Sequence, residues 1–133
     1  MTIQEELKIK LDLLGTLGTI TRDFLPASPD VIGVLYQYGG RMPERKFGQR
    51  GEGYATPSFQ LVFRGVPHDH DGPMAKAHIA YYHLFEVLPG PLCVGVTTEY
   101  HTIDPLQLPF PIRAVDDNKR HHLGFNFHVT VER

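Results

Sequence analysis

Alternating apolar and polar residues predict β-strands in two segments of the chain, residues 58–64 and 123–131. Because successive side chains of a strand point to opposite faces, each segment presents one apolar face to a core. The residues on those faces are Phe59, Leu61, Phe63, Phe125, Phe127 and Val129. A third strand is predicted over residues 31–38, which are rich in β-branched and aromatic side chains and end at Gly39 and Gly40.

Apolar residues at helical spacing predict two helices. The first covers residues 2–14 and begins with a capping box formed by Thr2 and Glu5. The second covers residues 73–88, with Asp71 as its expected N-cap. The apolar stripes are Ile3, Leu7, Leu11 and Leu14 in the first helix, and Ala77, Tyr81, Leu84 and Leu88 in the second. We expect both stripes to pack on the apolar face of the strands.

The order of these elements predicts an α+β fold. Residues 92–103 favour a further strand, whereas the prolines in 104–112 confine that segment to a sheet edge or an irregular path. We therefore expect a single domain, 1–133, with one mostly antiparallel or mixed sheet of four to five strands and two helices on one face. A long loop over residues 39–57 would join the first two strands.

The predicted loop over residues 39–57 is basic and shows neither helical nor strand periodicity. Loops of this length in a compact domain are usually functional or disordered. Arginine, methionine and aromatic side chains are enriched at protein interfaces, which favours an arm that contacts a neighbouring subunit or partner. The predicted interface residues are Arg41, Met42, Arg45, Lys46, Phe47, Arg50 and Tyr54. A solvated loop and a nucleic-acid contact by its cations are the two alternative interpretations.

Composition narrows the class of protein. The 133 residues are 41% hydrophobic and 21% charged, which is enough for a core, and the apolar runs are far shorter than the ~20 residues of a membrane span. A formal net charge of −2 argues against a dedicated nucleic-acid binder. The single cysteine, Cys93, excludes an intramolecular disulfide and a cysteine-based zinc site, and residues 1–6 lack the features of a signal peptide. The default expectation is a cytosolic protein without a cofactor.

Eight histidines are the unusual feature of the composition. An extended backbone through residues 68–71 would point His68 and His70 to one side, where together with Asp69 they offer ligands for a divalent metal. The favoured interpretation is a solvated turn that binds no metal and whose Asp71 caps the following helix, because no third ligand can be assigned from the sequence. The pattern assigns His121, His122 and His128 to a surface strand.

Nucleophilic catalysis has little support in the sequence. The only serines are Ser28 and Ser58, no Gly-x-Ser-x-Gly motif occurs, and Cys93 lies among apolar residues. Asp116 and Asp117 favour a turn over a catalytic carboxylate pair. The sequence therefore predicts a structural protein and not an enzyme.

Residues 1–88 contain a series of short motifs in a characteristic order. They are Asp30, Val34-Leu35-Tyr36, Gly39-Gly40, Pro57-x-x-Gln60-x-x-Phe63-Arg64-Gly65 and a helix start near Pro73. In these motifs the chain resembles the minor capsid and tail terminator (tail completion) proteins of tailed bacteriophages. It departs from them in residues 66–71, where the family usually passes directly from the second strand into the helix.

The resemblance implies a non-enzymatic virion protein of a siphophage-like phage, assembled in the host cytoplasm. Such a protein forms a ring, typically a hexamer, that caps the tail tube at the head–tail junction. Its partners would be further copies of itself, the tail tube protein and the head–tail connector or stopper. Phage DNA would pass through the lumen without sequence-specific binding, and neither a membrane nor a cofactor is implied.

Two alternative functions stay open at this point. One is a head-side stopper or adaptor, which differs from a tail terminator in position and not in chemistry. The other is a small cytosolic metal-dependent enzyme that uses His68, Asp69, His70 and one later histidine.

Overall fold

The computed structural model describes residues 2–45, 53–87 and 100–132. Its helices are α1, Ile3–Asp12, and α2, Asp71–Tyr82, which continues as a π-helical turn over His83–Val87. Its strands are β1, Ile20–Arg22; β2, Ile32–Arg45; β3, Gly53–Arg64; β4, Tyr100–Pro105; β5, Phe110–Arg113; and β6, His122–Glu132. The α+β class predicted from the sequence is confirmed.

The strands form one mixed sheet in the order β1-β2-β3-β6-β4, and β5 pairs with β6 beyond this path. β1 runs parallel to β2, whereas every other pair in the described ranges is antiparallel. The register places Leu35, Leu61 and Phe125 side by side on β2, β3 and β6. The described sheet therefore has six strands, where the sequence predicted four to five.

Both helices pack on one face of the sheet, as predicted. The residues buried between helices and sheet are Leu7, Leu11, Leu35, Phe59, Leu61, Phe63, Ala77, Ala80, Leu84, Phe125, Phe127 and Val129. Phe59 and Phe127 stack across β3 and β6 with their ring centroids 5.6 Å apart. Phe85, from the π-helical turn, packs its ring against Phe125 and Phe127. Burial of these aromatic rings together with the leucine side chains stabilises the core.

The capping box at the start of α1 is confirmed. The Thr2 hydroxyl accepts a hydrogen bond from the Glu5 backbone N–H at 3.2 Å, and the Glu5 carboxylate accepts one from the Thr2 N–H at 2.9 Å. Leu7 and Leu11 are fully buried, so the predicted stripe faces the core. This reciprocal cap fixes where the helix begins.

The prediction that Asp71 caps α2 is wrong. His70 occupies the N-cap position with helical backbone angles and makes no capping hydrogen bond through its side chain. Asp69 supplies the acceptor instead, because its Oδ1 atom accepts a hydrogen bond from the Gly72 N–H at 3.0 Å. Because His70 already has helical backbone angles, the carboxylate that can accept a hydrogen bond from the first turn of α2 belongs to Asp69, one residue before the N-cap.

The predicted loop over residues 39–57 is shorter in the structure, because β2 extends to Arg45 and β3 begins at Gly53. The register of this hairpin shifts between Tyr38 and Arg41, and again between Arg41 and Glu44. Such irregularities disturb the alternation of side chains while the backbone groups still pair. Periodicity in the sequence is therefore lost where the strands continue. Residues 46–52 lie outside the described part of the chain.

Strands β1 and β5 were not predicted as separate elements. β1 has three residues, too few for a periodic pattern, and pairs with β2 only through the fold. β5 contains Pro111 and pairs with β6, in keeping with the expectation that prolines confine this segment to an edge. Of the strand predicted over 92–103, residues 100–103 belong to β4, and residues 88–99, including Cys93, lie outside the described ranges.

Candidate functional site

The face of the sheet opposite the helices is buried and apolar at Ile32, Val34 and Val62, near the β1–β2 loop, and carries polar and aromatic side chains toward the β2–β3 hairpin. On this open face, Tyr38 is 51% exposed and its hydroxyl donates a hydrogen bond to Gln60 Oε1 at 3.1 Å. Ser58 Oγ lies 2.5 Å from His128 Nδ1 across β3 and β6. A sheet covered by helices on one face only leaves the other face for solvent or for another protein chain.

The β2–β3 hairpin carries the predicted interface residues that the structure describes. Arg41 lies opposite Thr56, and Tyr54 lies opposite Glu44 on β2. The structure therefore assigns Arg41, Met42, Arg45 and Tyr54 to paired strands, where the sequence predicted a loop. Lys46, Phe47 and Arg50 lie outside the described residues.

A buried charged cluster occupies one end of the open face, centred on Asp116. The Oδ1 atom of Asp116 accepts hydrogen bonds from the backbone N–H groups of Asn118 at 3.0 Å and Arg120 at 2.9 Å. Its Oδ2 atom accepts from Arg120 Nε at 2.9 Å and lies 3.0 Å from His122 Nε2. The Asp116 carboxylate therefore connects the turn at residues 116–120 to His122, the first residue of β6.

Arg120 extends the charged cluster to the loop between β1 and β2. Its Nη1 atom donates hydrogen bonds to the Ala27 carbonyl at 2.8 Å and to Asp30 Oδ1 at 3.0 Å. Arg64 reaches the same loop from β3, where its Nε and Nη2 atoms donate to the carbonyls of Asp30 at 2.9 Å and Pro29 at 2.6 Å. Two buried guanidinium groups therefore hold this loop over the end of the sheet.

The pKa shifts follow from this arrangement. Burial alone would raise the pKa of Asp116, but hydrogen bonds from Arg120 and His122 hold it well below its usual value. Burial lowers the pKa of His122, and repulsion from Arg113 lowers it further. The hydrogen bond to Asp116 acts in the opposite direction but does not outweigh them. In Arg120, where burial acts to lower the pKa, the two carboxylates of Asp116 and Asp30 raise it. The folded protein therefore favours a charged Asp116 beside a neutral His122.

Acidification is expected to destabilise the fold through His122. Because burial lowers the pKa of His122 below 6.5, the unfolded chain takes up a proton below about pH 6.5 that the folded chain resists, so stability falls as the pH decreases. His122→Gln keeps a donor for Asp116 and does not titrate, so its unfolding midpoint should fall less between about pH 7 and pH 5. Circular dichroism melts of both proteins across that range measure the two slopes. Equal slopes would contradict this role of His122. Asp116 does not interfere with this comparison, because its lowered pKa makes the stability depend on pH only below about pH 4.

The histidines considered as alternative metal ligands do not adopt the geometry that such a site would require. His68 has a positive φ of 66° and His70 has helical backbone angles, so the extended backbone expected through residues 68–71 is not formed. His70 instead packs edge-on against His121, with ring centroids 5.3 Å apart. Within residues 2–45, 53–87 and 100–132, no three histidine, cysteine or acidic side chains gather into a metal-binding group.

The surface-strand assignment is wrong for His122, which is only 2% exposed. Alternation along β6 places His122 on the open face, which sequence reasoning expected to be solvated. The loop held by Arg64 and Arg120 covers that end of the face, and this cover depends on contacts distant in sequence. The available signal in the sequence was the four-residue spacing of Asp116 and Arg120, but oppositely charged residues at this spacing also pair on exposed helix surfaces, so the spacing does not indicate a buried cluster.

None of the helices in the described part of the chain combines the length and apolar character needed to cross a bilayer.

Comparisons with known proteins give a similarity in fold. No family model matches the sequence, and a search of curated proteins finds no match. Among solved structures, the chain is similar to a chain of the virion of a native gene transfer agent particle, with a TM-score of 0.67 and 15% sequence identity. The similarity covers 98% of this chain and 95% of that chain, so it extends over the whole fold.

Proposed function

We propose that this chain is a structural, non-enzymatic subunit of a phage-like virion, and that it forms the tail terminator ring between the tail tube and the head. The observation that carries the proposal is the fold shared with a gene transfer agent virion chain over nearly the full length of both chains. The motifs in residues 1–88 independently resemble those of phage minor capsid and tail terminator proteins.

The shape of the described fold supports a role in assembly. A closed ring requires a heterologous contact, in which one surface of a subunit meets a different surface of the next. The helices cover one face of the sheet, and the open face with Tyr38 and Gln60 is available as one of these surfaces. The β2–β3 hairpin supplies the other, with the connecting segment 46–52 and its predicted contact residues Lys46, Phe47 and Arg50 as the contact arm.

The proposed partners follow from the position in the virion. Further copies of the chain would form the ring, typically a hexamer, and the tail tube and the head–tail connector or stopper would bind its two ends. The near-neutral net charge of −2 suits a lumen through which DNA passes without strong binding. Arginine and aromatic side chains of the hairpin would provide most of the contact energy between subunits.

Native mass measurement tests this proposal. Six copies of the 15.0 kDa chain give a ring of about 90 kDa, either in solution or after the protein is mixed with tail tubes. Electron microscopy of the mixture should show the protein at one end of each tube. A chain that stays monomeric and is not retained on tubes would contradict the tail terminator role. Retention on the head-side connector alone would favour a stopper or adaptor.

Shortening the hairpin is expected to abolish ring formation. Arg45 and Gly53 pair directly, so replacing residues 46–52 with Asn-Gly closes the hairpin with a two-residue turn and leaves β2 and β3 intact. We expect this variant to keep the unfolding midpoint of the parent protein and to remain at about 15 kDa in the presence of tail tubes. Normal rings and tube capping by this variant would show that residues 46–52 are not the contact arm.

A further inference from the structure

Arg64 is a buried cation without a carboxylate partner. Its side chain belongs to a residue only 2% exposed, and its hydrogen bonds go to the backbone carbonyls of Pro29 and Asp30. In the described ranges, no Asp or Glu side chain forms an ion pair with it. Burial lowers the pKa of Arg64, as does repulsion from Arg120, and the nearby charges of Asp116 and Asp30 offset only part of this. A buried charge that is paired only with carbonyl groups leaves attraction available for an anion.

A second unpaired cation lies at the same place. Arg113, on β5, is exposed; its backbone pairs with His122, but its side chain makes no hydrogen bond or ion pair with the residues the structure describes. Arg64 and Arg113 both line a pocket of about 290 Å³, together with Arg120 and His122. Asp116 and Asp30 form their ion pairs with Arg120, so Arg64 and Arg113 are the two guanidinium groups lining the pocket that have no direct ion pair within the described ranges.

We propose that this pocket binds a carboxylate side chain presented by a neighbouring protein chain, with Arg64 and Arg113 as the recognising groups. Guanidinium groups bind carboxylates through paired, charge-assisted hydrogen bonds, and the pocket is large enough to admit an acidic side chain. This site goes beyond the proposed function, because its affinity for a carboxylate does not depend on ring formation.

The surroundings of the pocket favour a carboxylate over a nucleic-acid backbone. Asp116 and Asp117 line the same pocket, and Asp30 is partly exposed beside it. These three carboxylates equal the three arginines Arg64, Arg113 and Arg120 in number, so the formal charges around the pocket cancel. A single carboxylate meets the two unpaired guanidinium groups, whereas a phosphate backbone would bring many negative charges toward the aspartates.

The experiment is an NMR titration of the isotope-labelled protein with blocked glutamate, N-acetyl-glutamate α-amide, and with the neutral glutamine analogue as the control ligand. Blocked glutamate should shift the side-chain Nε–H signals of Arg64 and Arg113 with a dissociation constant of about 1–10 mM. The glutamine analogue should leave those signals in place. Absence of saturable shifts with blocked glutamate would overturn the proposal.

Matched variants assign the effect to the pocket. Arg113→Gln removes an exposed cation of the pocket without burying a new group, and should weaken binding of blocked glutamate at least about fivefold. Arg22→Gln removes a cation whose partner is Glu5 on α1, and should leave the affinity unchanged. Equal affinities in the two variants would overturn the assignment of the site. A short DNA duplex that shifts the Arg64 and Arg113 signals more strongly than blocked glutamate would overturn the choice of ligand.

Discussion

Substitution of Phe127 by alanine is expected to lower the free energy of unfolding by about 3–5 kcal/mol. Phe127 is fully buried and packs its ring against Phe59, Phe85 and Phe125, which come from β3, the π-helical turn and β6. Removing the ring loses its transfer free energy and leaves a cavity between helix and sheet, because neighbouring strands cannot close around it. For a chain of this size the unfolding midpoint should fall by roughly 10–20 °C.

Phe24 provides the matched control for this substitution. It is 66% exposed in the loop after β1, so Phe24→Ala removes the same ring from solvent and not from the core. We expect its effect to stay within about 0.5 kcal/mol. Calorimetric melts of both variants measure the difference, and an unchanged midpoint for Phe127→Ala would contradict the central position of this ring.

Gly124→Ala is expected to be as damaging, although it adds only one methyl group. A Cβ atom at Gly124 would collide with the backbone carbonyl of Leu61 and contact the Cα atom of Val62 on β3. The obstacle is the main chain of a paired central strand, so β3 and β6 would have to separate to admit the methyl group. Overpacking of this kind costs on the order of 3 kcal/mol, and it should lower the yield of folded protein as well as the midpoint.

Gly39→Ala separates this steric effect from the general effect of replacing a strand glycine. Gly39 lies on β2, and a Cβ atom there would meet no other atom within 4 Å. Alanine at this position should be neutral or stabilising by up to about 1 kcal/mol, because glycine loses more conformational entropy on folding. Urea unfolding of the two variants provides the comparison. Similar free energies of unfolding for both would contradict the close approach of β6 to β3.

The parts of the fold that could be predicted from the sequence are those encoded by local patterns. The capping box of Thr2 and Glu5 defines the start of α1 through contacts within four residues. Alternation along β3 and β6 identifies the face that the helices cover, because one side of each strand is strongly apolar. A single sequence is sufficient to predict such an element when the contacts that determine it lie within a few residues of one another.

The parts that could not be predicted depend on contacts between distant segments. β1 exists because Ile20, Thr21 and Arg22 find hydrogen-bonding partners on β2, which three residues cannot signal by themselves. His122 is buried because a loop 90 residues earlier in the chain is held over it through the ion pair of Arg120 with Asp30. The unpaired state of Arg64 likewise becomes visible only when its surroundings are known.

The prediction of a long loop failed for a different physical reason. Backbone pairing continues the β2–β3 hairpin beyond Tyr38, but the register shifts on either side of Arg41. A pattern search reads side chains only, so it ends a strand where alternation ends. Over the residues that the structure describes, the predicted contact surface is therefore a hairpin of two strands, and the pairing of β2 with β3 fixes its backbone.

The place of β6 in the sheet also determines the order in which the fold can form. β6 lies between β3 and β4, yet Ser58 and His128, which face each other across β3 and β6, are 70 residues apart in the chain. Closing a loop of that length costs more entropy than joining β2 to β3 within one hairpin, so the hairpin is available first. Until β6 arrives, β3 has an unpaired edge and an uncovered row of phenylalanine and leucine side chains. Because a strand from another copy of the chain can occupy that edge, this topology favours strand exchange between copies for as long as β6 is unpaired.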